Sequence, residues 1–477
     1  MKLESINIEE TELIFYYPVT YRMSKRQELL DMLSVYEYEF FSLEDEEKRQ
    51  AYYGGHTISH QALQQFFYPF LEDKLFPEKP EHRSFSRFSK AFYENGVMDV
   101  RGKSVPFTLS SVDLTLAPFG LAFIAVRIVL HERTRLSDVL DFCHFFRVLV
   151  PHLDEEKGAL YTYNGNSYSR VDHLLKTECY PFLEQFFVDY EKLGKHYSHM
   201  PFFEDERMFV SGFLRTEQGQ QIDETMLFRL GQLNGTDEQN EPFISTSNPE
   251  YVKRYLEKHL LDRWAPHTYQ ITSNAAHMQI TNQSKEDAEV RVCEFYSVGY
   301  YNVLIHFFYK IMLLKLSFEH SEIRWGKDKY VVDELIETIT KFASRYYFDE
   351  VVVRTEGRET SNLLRQHFRI HEQYEEIRET LDELYRLQED QEDERQSRFL
   401  FILTVYTVVS GIYGMNLIIE DWQGSIAWDK MAGYTVFEWI AWLLGITGIL
   451  LSATIVGRSL YRGVTNFMEK KRREKWE

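Results

Sequence analysis

The chain has 477 residues and a mass of 57.0 kDa, which is too long for one compact core and predicts two or three domains of about 150 residues each. Its 54 Lys and Arg residues against 74 Asp and Glu residues give a formal net charge of −20. This charge argues against a nucleic-acid-binding protein, because such proteins normally carry a basic footprint. A hydrophobic content of 44% and a mean hydropathy of −0.39 exclude both a disordered chain and a protein that lies mostly in lipid.

The three cysteines, Cys143, Cys179 and Cys293, are isolated and form no CxxC pair. They indicate neither a disulfide framework nor a structural zinc site, and a reducing compartment is the simplest interpretation. The acidic N-terminal sequence lacks the basic and apolar parts of a signal peptide, so we expect the first domain to be cytosolic.

The first part of the chain predicts a cytoplasmic α/β domain over residues 1–295, built on an open sheet. Short β-branched and aromatic runs predict its strands, and Ser137 to Val150 has the apolar spacing of a helix that Pro151 ends. A polar run from Gly235 to Pro249 predicts a loop. The expected strands are Thr11 to Thr20, Val112 to Leu130 with a bend at Pro118 and Gly120, Arg207 to Arg215, and Thr225 to Leu233.

A helical region is expected over residues 296–398. Val298 to Phe318 is long enough to span a membrane, but Lys310 and Lys315 near its middle favour a buried helix of the domain. From Ser361 onward, apolar residues recur at alternating steps of three and four, as in a coiled-coil seam. The sequence predicts one stalk helix of about 50 residues from Ser361, with an ordinary solvated helix as the alternative.

Two apolar stretches near the end predict a transmembrane hairpin, with a buried hairpin of a soluble core as the alternative. The first span is expected at 399–416, an extracytoplasmic loop at 417–435, the second span at 436–456 and a basic cytoplasmic tail at 457–477. Basic residues flank both cytoplasmic ends, so we expect a bacterial inner-membrane protein, in contact with the lipid bilayer and with both termini in the cytoplasm.

Acidic and small polar residues surround the first span. If copies of the chain associate around an axis, the acids just before the span become stacked rings that attract cations; in a monomer they are an ordinary solvated face. Thr404, Thr407 and Gly411 form a small, partly polar face, which suits either a pore lining or simple helix packing. The acids are Glu389, Asp390, Glu392, Asp393 and Glu394.

The sequence Tyr413-Gly414-Met415-Asn416 at the end of the first span, with Gly411 before it, resembles the signature of the CorA family of divalent-cation channels. The resemblance implies a pentameric funnel, that is, a homopentamer whose first spans line the pore with Thr404, Thr407 and Gly411. It also implies a selectivity filter of Gly414, Met415 and Asn416, in which Asn416 contacts hydrated Mg²⁺ or a related divalent cation. Neutral amide oxygens suit Mg²⁺, because this ion retains its hydration shell and must pass the filter without being bound too tightly.

Glu420 and Asp421 in the outer loop are expected to attract cations.

The chain departs from the family in lacking a proline in the first span and in its large N-terminal part. It also resembles a divergent branch encoded beside type III CRISPR systems, which implies an antiviral effector whose cytoplasmic domain senses a nucleotide-type second messenger. A zinc transporter relative or a membrane-anchored scaffold is the remaining alternative.

An enzyme is not expected. The pairs His56 and His60, and His367 and His371, have i, i+4 spacing but lack the glutamate of HExxH, so zinc catalysis is not indicated. Dinucleotide, nucleotide triphosphate and nucleophile motifs are absent from the sequence.

Overall fold

The computed structural model describes residues 6–45, 50–188, 200, 202, 207–323 and 329–414, with short pieces between 433 and 454. The chain forms two compact units, Met1–Leu381 and Asp382–Glu477. The described helices are α1 Arg26–Val35, α2 Gln50–Tyr53, α3 His60–Gln64, α4 Pro69–Leu75, α5 Leu136–Phe146, α6 Val171–Leu174, α7 Glu224–Gln232, α8 Pro249–His259, α9 Lys285–Glu294, α10 Tyr300–Ser321, α11 Lys329–Arg345, α12 Thr355–His367 and α13 Ile370–Gly414.

Among the described residues, one mixed sheet of twelve strands organises the first unit. Its strands are β1 Asn7–Thr20, β2 Glu39–Phe40, β3 Ser86–Val100, β4 Lys103–Leu116, β5 Leu121–Leu130, β6 Thr134–Arg135, β7 Leu160–Tyr163, β8 Asn166–Tyr168, β9 Phe209–Thr216, β10 Leu260–Trp264, β11 Thr268–Thr272 and β12 Ala276–Thr281. Along the main path the order is β10-β11-β12-β9-β1-β5-β4-β3-β7-β8, with β2 beside β3 and β6 beside β1. The pairing of β9 with β12 is parallel, and the other pairings along this path are antiparallel.

Strand β1 is central, and its second half is buried on both faces, which explains the continuous apolar run from Leu13 to Val19. Because side chains alternate along a strand, Phe15 and Tyr16 point to opposite faces. Phe15 packs against Phe146 of α5, with ring centroids 4.9 Å apart, and Tyr16 packs against Tyr300 of α10 at 5.6 Å. The sheet is therefore covered by α5 on one face and α10 on the other.

Several local predictions are confirmed. The bend at Pro118 and Gly120 separates β4 from β5, and the run from Val298 forms the buried helix α10. Lys315 of that helix is accommodated by donating from its Nζ atom to the carbonyl oxygen of Phe119 at 2.6 Å.

The predicted strand at Thr225 to Leu233 is wrong, because this run forms α7. Asp223 caps the helix by accepting a hydrogen bond from the backbone N–H of Met226 at 2.7 Å. The stalk helix begins later than the predicted Ser361. Arg369 has a φ of 53°, which ends α12 and lets α13 begin at Ile370 with a length of 45 residues.

The predicted fold class is wrong in its membrane part: the transmembrane hairpin of 399–416 and 436–456 in a CorA-like pentameric funnel is not seen. Within the described part of the chain, no helix is both long enough and apolar enough to cross a membrane. The same finding contradicts the predicted inner-membrane localisation with both termini cytoplasmic.

A buried charge network joins three strands to α10. Asp113 of β4 accepts hydrogen bonds from Arg87 of β3 at 2.8 Å and from Arg127 of β5 at 3.0 Å, and all three side chains are at most 1% exposed. The Arg87 guanidinium lies 4.3 Å from the ring centroid of Tyr300 and donates to the hydroxyl of Tyr301 at 3.2 Å. Cation–π contacts therefore help to stabilise a charge pair that burial alone would disfavour.

Replacing Asp113 with Asn should lower the free energy of unfolding of the first unit by about 3–5 kcal/mol, because two buried guanidinium groups would lose their shared counter-charge. Urea titration followed by circular dichroism measures this change. Asp154→Asn, at a fully exposed carboxylate, is the matched control and should unfold like the native chain. If Asp113→Asn also unfolds like the native chain, the network does not hold these elements together.

Candidate metal centre

Helix α9 and the loop after α2 bring three different metal-ligating side chains together. Ser284 caps α9 by accepting a hydrogen bond from the backbone N–H of Asp287, and Glu289 and Cys293 follow four residues apart on one helix face. Gly54, with a φ of 61°, reverses the chain after α2 and places His56 opposite this face. The Nδ1 atom of His56 lies 2.8 Å from Oε1 of Glu289, and Sγ of Cys293 lies 3.7 Å from the same oxygen.

Strand β1 adds two carboxylates on the other side of His56. Glu10 and Glu12 are two residues apart, so both point to the same sheet face. Ligand atoms of Glu10, Glu12 and His56 lie within 4.8 Å of one another, as do those of His56, Glu289 and Cys293. Because the two triplets share His56, five potential ligands form one continuous group, which we call the His56 cluster.

The carboxylates of β1 differ in their environment. Glu10 is ion-paired with Arg215, whose Nε atom donates to it at 2.8 Å. Glu12 is buried, and burial raises its pKa to about 8, although the hydroxyl of Tyr296 donates a hydrogen bond to it.

The thiol of Cys293 is partly exposed. Burial, together with the negative charge of Glu289, raises its pKa to about 11, so the side chain is a neutral thiol at pH 7. A bound metal ion reverses this preference, because a coordinating thiol is deprotonated.

Tyr296 contacts two members of the cluster. Its ring stacks on His56 with centroids 5.5 Å apart, and its hydroxyl donates to Glu12. The Arg127 guanidinium lies 5.1 Å from the centroid of the same ring. Tyr296 belongs to the π-helical turn Phe295–Gly299, which connects α9 to α10, and such turns occur frequently at functional sites.

The cluster can hold one divalent cation. It offers nitrogen, sulfur and oxygen donors, and its outer members are accessible: the side chains of His56 and Glu289 are 16% and 45% exposed. Glu289 is therefore open to solvent, whereas Glu12 is buried.

The structure places the residues of the predicted pore along α13, as far as it describes them. The hydroxyls of Thr404 and Thr407 donate to the carbonyl oxygens of Leu400 and Leu403, each at 2.8 Å, and Gly411 and Gly414 lie in its final turns. Met415, Asn416, Glu420 and Asp421 lie outside the described residues. The acids Glu389, Asp390, Glu392, Asp393 and Glu394 follow one another in α13, where Glu389 and Asp393 are exposed.

The two histidine pairs that the sequence analysis set aside form no metal-ligating group with each other among the described residues. His60 is buried and its Nδ1 atom contacts the carbonyl oxygen of Leu43 at 2.7 Å, whereas His367 stacks on His259 at 4.1 Å. The sequence analysis considered His56 only with His60, and it missed Glu10, Glu12, Glu289 and Cys293. The local signal it could have used is the i, i+4 spacing of Glu289 and Cys293 on a capped helix.

Comparison with known proteins gives no relative from which to assign the site, since no family model, no curated protein and no solved structure matches the chain.

Proposed function

We propose that this chain is a divalent-cation-responsive protein that binds a regulatory cation at the His56 cluster. The observation that carries the proposal is the convergence of five ligand-bearing side chains from β1, the loop after α2, and α9. These segments are far apart in sequence, so a cation bound by His56, Glu289 and Cys293 would cross-link the loop to α9, and His56 also lies beside the carboxylates of β1.

Binding of this kind has a measurable consequence for stability. A ligand that binds only the folded state stabilises it in proportion to the logarithm of its concentration, by about 2.7 kcal/mol at 100 times its Kd. Without a metal ion, the loop that carries His56 is held to α9 by weaker contacts. The polar contact of His56 with α9 is then a single pair with the partly exposed Glu289, and pairs with an exposed partner contribute little.

Thermal unfolding of the full chain tests the proposal. After treatment with a chelator, the chain is melted alone and with Mg²⁺, Mn²⁺, Co²⁺ or Zn²⁺. At least one cation should raise the unfolding midpoint by roughly 3–6 °C, and His56→Ala should abolish this rise relative to its own metal-free midpoint. His131→Ala, at an exposed loop histidine, should retain the full rise. The proposal fails if no cation changes the midpoint, or if His56→Ala responds like the native chain.

The channel that the CorA resemblance implies stays a prediction from the sequence, as do its Mg²⁺ selectivity, the nucleotide-type ligand and the absence of enzymatic activity. The regulatory site is compatible with the expectation that the large N-terminal part of the chain controls the rest, and it does not depend on the hairpin.

A second observation favours self-association. The apolar end of α13 is exposed in the single chain, with exposed fractions between 38% and 70% for Phe399, Leu400, Phe401, Ile402, Leu403, Val405 and Tyr406. A contiguous apolar surface of this kind marks an interaction site. We propose that it packs against the same segment of other copies, because identical helices with apolar faces pair readily and the neighbouring Gly411 and Gly414 allow close approach.

Sedimentation analysis of the full chain tests this association. We expect an assembly larger than the 57.0 kDa monomer. The double variant Phe401→Glu/Val405→Glu places two charges on one face of α13 and should shift the assembly to monomer. Val35→Glu, at a 72% exposed side chain of α1, is the control and should remain assembled. A monomeric native chain would exclude self-association.

A further inference from the structure

The donor atoms of the His56 cluster are unusual for a magnesium or calcium site. Mg²⁺ and Ca²⁺ are hard cations that take oxygen ligands almost exclusively. The cluster instead combines an imidazole nitrogen of His56 and the sulfur of Cys293 with the carboxylate of Glu289. Nitrogen and thiolate ligands favour zinc and the ions that resemble it, since these bind sulfur at about 2.3 Å and nitrogen or oxygen at about 2.0–2.2 Å.

The spacing of the three donors fits four-coordinate geometry. Bond lengths of 2.0–2.3 Å in a tetrahedral site place neighbouring ligand atoms about 3.3–3.7 Å apart. The sulfur of Cys293 and Oε1 of Glu289 are already 3.7 Å apart. His56 and Glu289 are in hydrogen-bond contact at 2.8 Å, so they need to separate by only about half an ångström to admit the ion.

The carboxylates of β1 belong to a second triplet. Ligand atoms of Glu10 and Glu12 lie within 4.8 Å of a ring nitrogen of His56, but they do not group with those of Glu289 and Cys293. The imidazole of His56 therefore connects β1 to the triplet, and the fourth position of the ion is open to water. The contact of Tyr296 with His56 orients one of the three ligands, in the way that outer-shell residues of metal sites commonly do.

We infer that the His56 cluster is a site for a zinc-class cation, with His56, Glu289 and Cys293 as its protein ligands and water in the fourth position. This inference rests on the proposed cation-responsive function and narrows it to a chemical class. Mg²⁺ is excluded from the site by its preference for six oxygen ligands in near-ideal octahedral geometry.

Cobalt substitution tests the ligand set directly, because Co²⁺ occupies zinc sites and reports thiolate ligation as a charge-transfer absorption. The full chain, reduced and freed of metal, is titrated with Co²⁺. We expect a thiolate-to-cobalt charge-transfer band and the intense visible absorption of four-coordinate cobalt, both removed by one equivalent of Zn²⁺ and unaffected by a large excess of Mg²⁺.

Two cysteine variants make the assignment specific. Cys293→Ser should lose the charge-transfer band and at least about 100-fold in zinc affinity, since even outer-shell changes cost 10–100-fold. Cys143→Ala removes a buried thiol outside the cluster and should keep the band. Circular dichroism checks that both variants are folded.

The outcomes separate the inference from the function on which it rests. A band that persists in Cys293→Ser would overturn the inference, because the sulfur ligand would then be another cysteine. The zinc class would also be overturned if cations stabilise the chain through His56 but produce no thiolate band. The same holds if Mg²⁺ stabilises the chain as well as Zn²⁺ does. In both cases the cation-responsive function would stand. If no cation binds, both fail.

Discussion

The sharing of one buried carboxylate by two arginines is the constraint on which the rest of the first unit depends. Asp113 must balance Arg87 and Arg127 inside the protein, so β3, β4 and β5 are fixed relative to one another. Both guanidiniums also face Tyr300 at the start of α10. Since α9, the π-helical turn and α10 are continuous, anchoring α10 also determines where α9 lies. The charge network thus positions Glu289 and Cys293 without touching either of them.

Tyr296 connects this network to the His56 cluster. Its ring contacts the Arg127 guanidinium and His56, while its hydroxyl donates to Glu12. One side chain therefore orients a ligand from the loop and a ligand from β1, and it lies in the turn that leads into α10. A cation that changed the contact between Glu12 and Tyr296 would act on the element that packs across the sheet. This arrangement gives a physical route from ion binding to the conformation of the domain, which a responsive protein requires.

Local sequence signals predicted the elements whose structure depends on local physics. The bend at Pro118 and Gly120 and the buried helix α10 follow from backbone restrictions and from a long apolar run. Thr225 to Leu233 was misassigned because a short apolar run fits a strand or a helix equally well, and the cap at Asp223 decides between them. The predicted hairpin rested on two apolar stretches and their flanking basic residues, whereas no helix of the described residues is long and apolar enough to cross a membrane. The His56 cluster could not be predicted as a whole, since residues 10, 12, 56, 289 and 293 meet only because β1 is central in the sheet. Only the spacing of Glu289 and Cys293 was visible locally.

The central claim is that these residues form a metal centre of mixed nitrogen, sulfur and oxygen ligands. X-ray absorption spectroscopy of the zinc-loaded full chain measures the ligand shell most directly. The account predicts one sulfur at about 2.3 Å and three nitrogen or oxygen ligands at about 2.0–2.2 Å. A shell of oxygen atoms alone, with no sulfur, would contradict it.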